Sequence, residues 1–323
     1  MLPVLLLGRE LEEVIDVFID EDLSVKELID VYEKTHGFTS AYLVQGCKIL
    51  AEMVSKGGVT KFLAFTGNIV STGVRGLIAQ MINDGLFDVV ITTCGAIDHD
   101  IAKSLSKYYR GVFEANDIEL RREGIHRLGN IFIPIENYGK VIEDFVKERL
   151  VSVLKSRSEW SVYELLWEVG ALINDEKSIL RAAYKHKIPI FVPGIVDGAF
   201  GTQLFIQSQF LNFKINLFKD MSKLSDIVFA SRETGALIIG GGISKHHAIW
   251  WNQFKGGLDY AVYITTAVEW DGSLSGAHVR EAISWGKVKE GAKRCVIYGE
   301  ATLILPLLYV GLKKYLKELS KSS

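Results

Sequence analysis

Cysteine and proline are both scarce in this chain of 323 residues. Its three cysteines, Cys47, Cys94 and Cys295, lie far apart and show no paired spacing. This argues against a disulfide framework and against a zinc site, and it fits a reducing compartment. The chain has only five prolines and no linker-like or low-complexity stretch. A protein divided by flexible linkers is therefore not expected.

Long apolar runs and an excess of one charge are also absent. No run approaches the roughly 20 apolar residues that span a bilayer. Residues 1–14 turn acidic too soon for a signal peptide. The net charge is −2 without a dense basic tract, so no global field favours nucleic acid. With 48% hydrophobic residues, we expect a soluble, cytoplasmic, globular protein with a large core.

The chain does have a repeated alternation of short apolar strands with segments of helical periodicity. Strands are predicted at 61–66, 87–93, 130–134, 189–193, 234–239, 260–266 and 295–298. Helices are predicted at 24–35, 41–55, 74–83, 98–109, 139–156, 162–174 and 303–319, with a turn at 94–96 and irregular structure at 110–129. This alternation predicts an α/β fold, doubly wound around a mostly parallel, Rossmann-like sheet, as one domain over residues 1–323.

In such a sheet, ligands bind at the carboxyl ends of the strands. The three glycines Gly240, Gly241 and Gly242 end a predicted strand and let a ligand approach the backbone closely. Other groups at this edge are Gly67 to Ser71, Thr93 to Gly95, Asp98, His99, Asp197, His246, Thr266, Asp271 and Glu300. They fit a dinucleotide with ribose hydroxyls to satisfy. Neither a GxGxxG motif nor a P-loop is present, so ordinary strand-to-helix turns remain an alternative.

A second candidate site lies at the end of the segment 260–287. Glu281 and Trp285 are four residues apart in a predicted helix and share a face. Gly286 allows the chain to turn before Lys287. A lysine held beside an indole and away from water is a candidate nucleophile toward a carbonyl or an imine. A Trp-Gly-Lys triplet is also typical of a surface lysine beside a packing tryptophan, so spacing alone does not decide.

The adjacent His246 and His247 need a separate interpretation. Neighbouring residues on a helix point about 100° apart, so this pair is not expected to bind one metal ion. Without other information, a structural role is the more common one for each ring.

Taken together, the motifs resemble those of the deoxyhypusine synthase family. They run in order from about residue 40 to about residue 310. The matching stretches are TGNIVSTGVR at 66–75, VITTCG at 90–95, IHRLGNI at 125–131, ENY at 136–138, GGGISKHH at 240–247, DYAVYITTA at 259–267, DGSLSGA at 271–277 and EAISWGK at 281–287.

The resemblance implies an NAD-dependent enzyme of four subunits, with NAD bound near subunit interfaces. NAD oxidises spermidine, and the aminobutyl group passes to an enzyme lysine as an imine. It then moves to one lysine of the initiation factor 5A precursor, where the retained NADH reduces it. The catalytic residues implied by motif match are Lys287, as the imine-forming lysine, and His246, as the proton handler.

The resemblance also implies binding residues, and it implies no metal. The substrate-binding residues are Glu281, Trp285, Tyr263, Asp98, His99, Gly272 and Ser275. The cofactor-binding residues are Gly67, Asn68, Ile69, Val70, Ser71, Thr93, Cys94, Gly95, Asp197, Gly240, Gly241, Gly242, Thr266, Ala267, Asp271, Glu300 and Ala301.

The chain departs from eukaryotic members of that family. Leu274 and Thr202 stand where those members have acids, Asp98-His99 stands where they have an acidic pair, and Trp250 replaces an amide. One close charge pair contributes about 1 kcal/mol when exposed and about 4 kcal/mol when partly shielded, so weaker spermidine binding is expected. Three alternatives stay open besides spermidine-dependent protein modification: another donor such as agmatine, a free diamine as acceptor as in homospermidine synthesis, and an NAD-binding scaffold without catalysis.

Overall fold

The computed structural model describes residues 5–6, 9–10 and 12–322. The strands are β1 (Leu5–Leu6), β2 (Arg9–Glu10), β3 (Val59–Phe65), β4 (Val89–Ile91), β5 (Tyr109–Arg110), β6 (Ile125–Leu128), β7 (Ile131–Pro134), β8 (Glu159–Trp160), β9 (Ile190–Phe191), β10 (Lys214–Ile215), β11 (Glu233–Ile239), β12 (Leu258–Thr265) and β13 (Val288–Tyr298).

The α-helices are α1 (Val25–Thr35), α2 (Phe38–Ser55), α3 (Arg75–Asn83), α4 (Cys94–Leu105), α5 (Asp117–Arg122), α6 (Gly139–Phe145), α7 (Val151–Leu154), α8 (Val162–Leu172), α9 (Ile179–His186), α10 (Ala199–Ser208), α11 (Leu217–Ala230), α12 (Gly242–Gln253), α13 (Glu281–Ser284) and α14 (Ala301–Ser322). Short 3-10 helices occupy Gly67–Ser71, Ile135–Asn137 and Glu269–Asp271, and a π-helical segment, Val146–Leu150, joins α6 to α7.

Six parallel strands form the central sheet in the order β13-β12-β11-β3-β4-β9. The chain starts in the middle at β3 and moves outward through β4 to β9. It then returns to the other side of β3 with β11 and continues outward through β12 to β13. The winding direction therefore reverses between β3 and β11, which is where such sheets open a crevice at their carboxyl ends. The predicted mixed α/β fold with a mainly parallel sheet is confirmed.

Helices cover both faces of this sheet. In β3, Leu63 and Phe65 join one buried apolar cluster, which includes residues of α2 and α14, while Phe62 and Ala64 join a second, which includes residues of α11 and α12. Successive strand residues point to opposite faces, so a strand that is buried on both faces carries a continuous apolar run. This explains why the central strands were recognisable from sequence.

The region 110–129 was predicted to be irregular, and this was wrong. It contributes β5, α5 and β6, and these strands pair with β7 in a separate antiparallel sheet of order β5-β7-β6. The side chain of Asn116 caps α5 by accepting from the N–H groups of Ile118 and Glu119. None of the residues of α5 is buried, so the helix has no apolar periodicity to detect.

Two predicted boundaries were also wrong. The turn at 94–96 is instead the first turn of α4, which ends at Leu105. The last strand was predicted from 295, but β13 begins at Val288. β13 is an edge strand, and its first half includes several exposed or half-buried charged residues. This half therefore lacks the apolar run by which a strand is recognised in sequence. Lys287 consequently lies directly before the first residue of this strand.

The composition also led to expectations about the cysteines, about membrane-spanning segments and about the number of domains. Cys47, Cys94 and Cys295 are all buried and unpaired. None of the described helices combines the length and the apolar character that crossing a membrane requires. Half of the positions in the expectation about residues 1–14 lie outside the described residues. That residues 1–323 form one domain stays a prediction.

Candidate active site

The loops after β3 and β4 are in direct contact at the carboxyl edge of the sheet. A Cβ atom added to Gly67 would lie 2.7 Å from the backbone nitrogen of Ala96 and 2.8 Å from Oγ1 of Thr93. Any residue larger than glycine at position 67 would therefore push the loop away from the start of α4.

The loops after β11 and β12 continue this row. A Cβ atom on Gly240 would lie 2.9 Å from Oγ1 of Thr66, and one on Gly241 would lie 2.5 Å from Cα of Ser275. Oγ1 of Thr265 also donates to the carbonyl of Ser275 at 3.0 Å. We call the row formed by Gly67, Thr93, Gly240, Gly241 and Ser275 the glycine edge.

The glycine edge presents backbone rather than side chains. Ile69, Val70 and Ser71 are at most 3% exposed, so their side chains are not open to a ligand. Cys94 and Gly95 open α4 beside Gly67, and the first N–H groups of a helix have no partner within it. Such groups, together with the helix dipole, bind phosphate.

Asp98 was predicted to bind substrate, but its contacts are structural. It is completely buried, and its carboxylate accepts from the N–H groups of Ala199 at 2.9 Å and Phe200 at 2.8 Å and from the hydroxyl of Tyr138 at 2.9 Å. Burial raises the pKa of Asp98, and the two N–H groups oppose that rise. Asp98 thus caps α10 and is not open to a ligand.

His99, also predicted to bind substrate, is 7% exposed. Its Nδ1 lies 2.9 Å from the hydroxyl of Tyr108, and its ring packs against Tyr138 at 5.4 Å between centroids. Burial lowers the pKa of His99 to about 4. A neutral, buried ring of this kind supports the packing of α4 and offers little to a cationic substrate.

The other residues predicted at this edge differ in exposure and in whether their side chains already form hydrogen bonds. The carboxylate of Glu300 accepts from the N–H groups of Thr302 and Leu303, both at 3.0 Å, and so caps α14 beside Ala301. Asp197, which follows β9, and Thr266, which follows β12, are exposed, and Ala267 is half-buried. Asp271 accepts from the N–H of Ser273 at 2.6 Å, Gly272 next to it adopts a left-handed conformation, and Asn68 accepts from Thr66 Oγ1 at 2.6 Å.

A cavity of about 150 Å³ lies between α12, β12 and α13. Its lining brings together residues that are far apart in sequence: Lys245, Ile249, Tyr263, Leu274, Ala277, His278, Glu281, Ala282, Trp285 and Lys287. We call it the lysine cavity. Four of the predicted catalytic and substrate residues, Lys287, Glu281, Trp285 and Tyr263, line it.

Lys287 is 8% exposed and its ammonium group lies between two indoles. Nζ is 5.0 Å from the ring centroid of Trp285 and 5.9 Å from that of Trp250, within reach of cation–π attraction. Gly286, with φ of 65°, turns the chain, and the N–H of Lys287 donates to the carbonyl of Ala282 at 2.9 Å. The alternative of a freely solvated surface lysine is therefore excluded.

The two histidines of α12 have different surroundings. His246 is exposed and stacks on Trp250, with centroids 5.6 Å apart and an angle of 18°. Its pKa is lowered by partial burial and by the charge of Lys287. His247 packs edge-on against Trp251, and burial lowers its pKa to about 4. His246 is thus placed near Lys287, whereas His247 has a structural role.

The sequence interpretation assigned no role to Lys245, which is a second lysine of the cavity. It is 2% exposed, donates to the carbonyl of Ala277 at 2.8 Å and lies 4.4 Å from the ring centroid of Tyr263. Burial lowers the pKa of Lys245 to about 8, while the charge of Glu281 acts in the opposite direction. Completely buried lysines are rare, but nothing in the sequence distinguishes this one from an exposed helix lysine.

Tyr263 is 1% exposed, and its hydroxyl is without a hydrogen-bond partner among the described residues. A buried hydroxyl without a partner costs free energy. Because Tyr263 lines the lysine cavity, a polar group of a bound ligand is a suitable partner for it.

The segment 271–277 connects the two regions. Leu274 and Ala277 line the lysine cavity, while Ser275, between them, packs against Gly241 at the glycine edge. The cavity and the edge therefore share one wall. No group of three or more His, Cys, Asp or Glu residues that is suited to a metal ion occurs within the described ranges.

Residues 27–312 match the family model described as deoxyhypusine synthase. A probable deoxyhypusine synthase of Sulfurisphaera tokodaii is 56% identical over 302 residues, which cover 93% of this chain and 97% of the relative. Another, of Sulfolobus acidocaldarius, is 56% identical over 304 residues, or 94% of this chain and 97% of the relative. This chain belongs to the deoxyhypusine synthase family. Members of that family are aminobutyl transferases of hypusine biosynthesis, so the chain is an enzyme.

Two solved structures have folds similar to that of this chain. A deoxyhypusine synthase homologue from Entamoeba histolytica has a TM-score of 0.63 at 22% identity, with 92% of this chain and 96% of that chain covered. AgrE, solved as a ternary complex with ornithine and NAD+, has a TM-score of 0.53 at 14% identity, with 87% of this chain and 34% of AgrE covered. At these identities the likeness concerns the fold alone.

Proposed function

We propose that this deoxyhypusine synthase family member transfers the aminobutyl group of spermidine, or of a related amine, to one lysine of the initiation factor 5A precursor. The observation that carries the proposal is the placement of Lys287, which is buried beside Trp285 and Trp250 on the wall of the lysine cavity. An amine that is shielded from bulk water and held beside aromatic rings suits imine formation with an oxidised polyamine.

The glycine edge is the proposed NAD site. It lies at the reversal point of the sheet, and positions 67, 240 and 241 leave no room for a Cβ atom. Glycine at these positions lets neighbouring loops pack closely, and the exposed Gly242 beside them, where a Cβ atom would meet nothing within 4 Å, leaves backbone open to a pyrophosphate. When bound, NAD supplies the hydride acceptor for oxidation of the donor amine.

The residues of the lysine cavity carry the transfer itself. The ε-amine of Lys287 attacks the imine carbon of the oxidised donor, a new C–N bond forms, and the bond to the propyl-side amine breaks. His246 lies next to Trp250 and is held toward its neutral form, so it can exchange a proton with the departing amine. Trp285 shields the aliphatic chain, and Glu281 pairs with the free end of the aminobutyl group. Attack by the acceptor lysine then releases Lys287.

The donor is the point at which an alternative is favoured by a specific observation. Leu274, at a position where eukaryotic members have an acid, lines the cavity, and Glu281 is the one carboxylate among the lining residues that the structure describes. An apolar wall stabilises a cationic centre less than a carboxylate does. A donor with fewer positive charges than spermidine, such as agmatine, is therefore the second candidate.

We also propose a cytoplasmic homotetramer. The three buried, unpaired cysteines fit a reducing compartment. Trp285 of the lysine cavity and Trp270 of the 3-10 helix Glu269–Asp271 are 66% and 87% exposed, and large exposed aromatic side chains are typical of interfaces. Light scattering of the purified protein should give four times the mass of one chain; a monomer of full activity would contradict this proposal.

The deciding experiment is reductive trapping. The protein is incubated with NAD and labelled spermidine or agmatine, treated with borohydride, and digested for mass analysis. An aminobutyl adduct on Lys287 with one of these donors is expected, and Lys287→Arg should show none. In a parallel incubation without borohydride, the protein with NAD and the donor is supplied with the factor precursor or with putrescine, and the labelled product separates protein modification from homospermidine synthesis. NAD binding without an adduct from any donor would favour the scaffold alternative.

A further inference from the structure

Lys103 on α4 reaches back to the loop that follows β3. Its Nζ donates to the carbonyls of Val70 at 3.2 Å and Ser71 at 3.0 Å, and also to that of Thr72. These carbonyls form the end of the 3-10 helix Gly67–Ser71. The carboxyl end of a helix carries unpaired carbonyls and a partial negative charge. A lysine at this point both satisfies the carbonyls and stabilises the dipole.

The same face of α4 also holds the far end of that loop. Arg75, at the start of α3, donates to Asp100 through Nε at 2.5 Å, to Ser104 through Nη2 at 2.6 Å and to Asp175 through Nη1 at 2.8 Å. Arg75 is 4% exposed and Asp100 is 1% exposed. The segment between β3 and α3 is thus attached to α4 at two points. The contact of Arg75 is buried, and that of Lys103 is half-buried.

We propose that Lys103 is a positioning residue for the dinucleotide, because it holds the backbone of Gly67–Ser71 at a set spacing from the amino end of α4. This inference rests on the proposed NAD site. Both segments of that site act through backbone groups, and they pack so closely that a Cβ atom added to Gly67 would lie 2.7 Å from the backbone nitrogen of Ala96. A shift of a few tenths of an ångström in the loop therefore changes the shape of the site, although Lys103 itself does not touch the ligand.

The charge of Lys103 is sensitive to its neighbours. Burial, and then the positive charge of Arg75 on α3, lowers the pKa of Lys103 to about 8, while Asp100 on α4 and Asp175 after α8 act in the opposite direction. The ring of Tyr108, after α4, lies 5.8 Å from Nζ. The ammonium group therefore loses its proton within a few pH units of neutrality, and its attraction for the three carbonyls weakens as it does so.

The test compares NAD binding by calorimetry, and turnover with the donor amine, in the full-length protein and its variants. Lys103→Met should raise the dissociation constant and the KM for NAD about tenfold, while kcat at saturating NAD stays within about twofold, because the chemistry lies in the lysine cavity. Lys107→Met is the matched control, because Lys107 lies four residues further on and is exposed. This variant should bind NAD as the unaltered protein does.

A pH profile separates positioning from a general loss of stability. In the unaltered protein, NAD affinity should fall as the pH rises from about 7 to about 9.5, since Lys103 becomes neutral. Lys103→Arg stays charged, so it should keep most of the affinity and show a flatter profile. If Lys103→Met does not fold, the arginine variant alone decides, and a pH dependence identical to that of the unaltered protein would overturn the inference.

The two proposals fail in different ways. Equal NAD affinity of the Lys103→Met variant and the unaltered protein would overturn the role of Lys103 and leave the NAD site in place. Absence of NAD binding in the unaltered protein would overturn the NAD site and the role of Lys103 together.

Discussion

The glycine edge and the lysine cavity are adjacent, but they are built from different parts of the chain. The edge depends on backbone groups and on missing side chains, as at Gly67 and Gly241. The cavity depends on particular side chains, above all Lys287 and its two flanking indoles. The difference indicates that the edge is sensitive to added volume, whereas the cavity is sensitive to chemical identity. Substitutions should therefore separate cofactor binding from transfer.

The largest effect should come from the cavity. Lys287→Ala removes the proposed nucleophile, so incorporation of labelled aminobutyl into the acceptor should fall by at least about 10³-fold. NAD affinity, measured by equilibrium dialysis, should stay unchanged because the edge is intact. Lys287→Arg keeps the positive charge and should be equally inactive. A variant that retained full turnover would remove Lys287 from the mechanism.

Gly241→Ala tests whether the two regions share a wall. The new Cβ atom would lie 2.5 Å from Cα of Ser275, and overpacking of this kind costs about 1 to 3 kcal/mol. The loop that carries Ser275 and Leu274 should move, so both NAD affinity and turnover should fall about tenfold. The control is Gly57→Ala, where a Cβ atom meets nothing within 4 Å. A loss confined to NAD affinity would contradict the shared wall.

Each region also contains one histidine that is held neutral, the buried His99 near the edge and the half-buried His247 near the cavity. Burial lowers both pKa values to about 4, below the value of about 6.5 in an unfolded chain. The unfolded state takes up the proton first as the pH falls. The stabilising contribution is therefore complete above about pH 6.5 and is lost between about 6.5 and 4.

His99→Gln and His247→Gln measure that contribution separately. Each should reduce the loss of unfolding free energy between about pH 6.5 and pH 5 by about 1 to 2 kcal/mol. Urea titrations at a series of pH values provide the measurement. If the slope of stability against pH is the same in the variants as in the unaltered protein, the histidines are not neutral in the folded state.

The smallest effect should come from the apolar wall of the cavity. Leu274→Asp restores a carboxylate where eukaryotic members have an acid, and one partly exposed pair contributes about 1 kcal/mol. The spermidine concentration that half-saturates NADH formation should therefore fall about fivefold, with agmatine affected less. Leu274→Asn controls for size and polarity. Unchanged spermidine dependence would mean that position 274 does not face the donor.

Much of the fold was predictable because its signals are local. The central strands are buried on both faces and therefore carry apolar runs, and Ser24 shows the capping pattern that begins α1. The motif EAISWGK at 281–287 places a carboxylate, an indole and a lysine within seven residues, so these side chains were expected to be close. For the same reason, the motif series was sufficient to identify the deoxyhypusine synthase family.

Other features were decided by contacts between distant parts of the chain. Asp98 reads as a binding residue in sequence, yet the N–H groups it caps lie 101 and 102 residues away. Lys245 enters the cavity only because the loop that carries Ala277 folds over it, 32 residues on.

The amino half of β13 shows the same limit, since its residues form a strand only by pairing with β12. The sequence by itself determined the central strands, most of the helices that cover them and the chemistry that the chain carries, because periodicity and motif spacing are local properties. Tertiary structure decided which polar side chains are available to a ligand, because a carboxylate or an amine is free only if it forms no hydrogen bond with a distant backbone group.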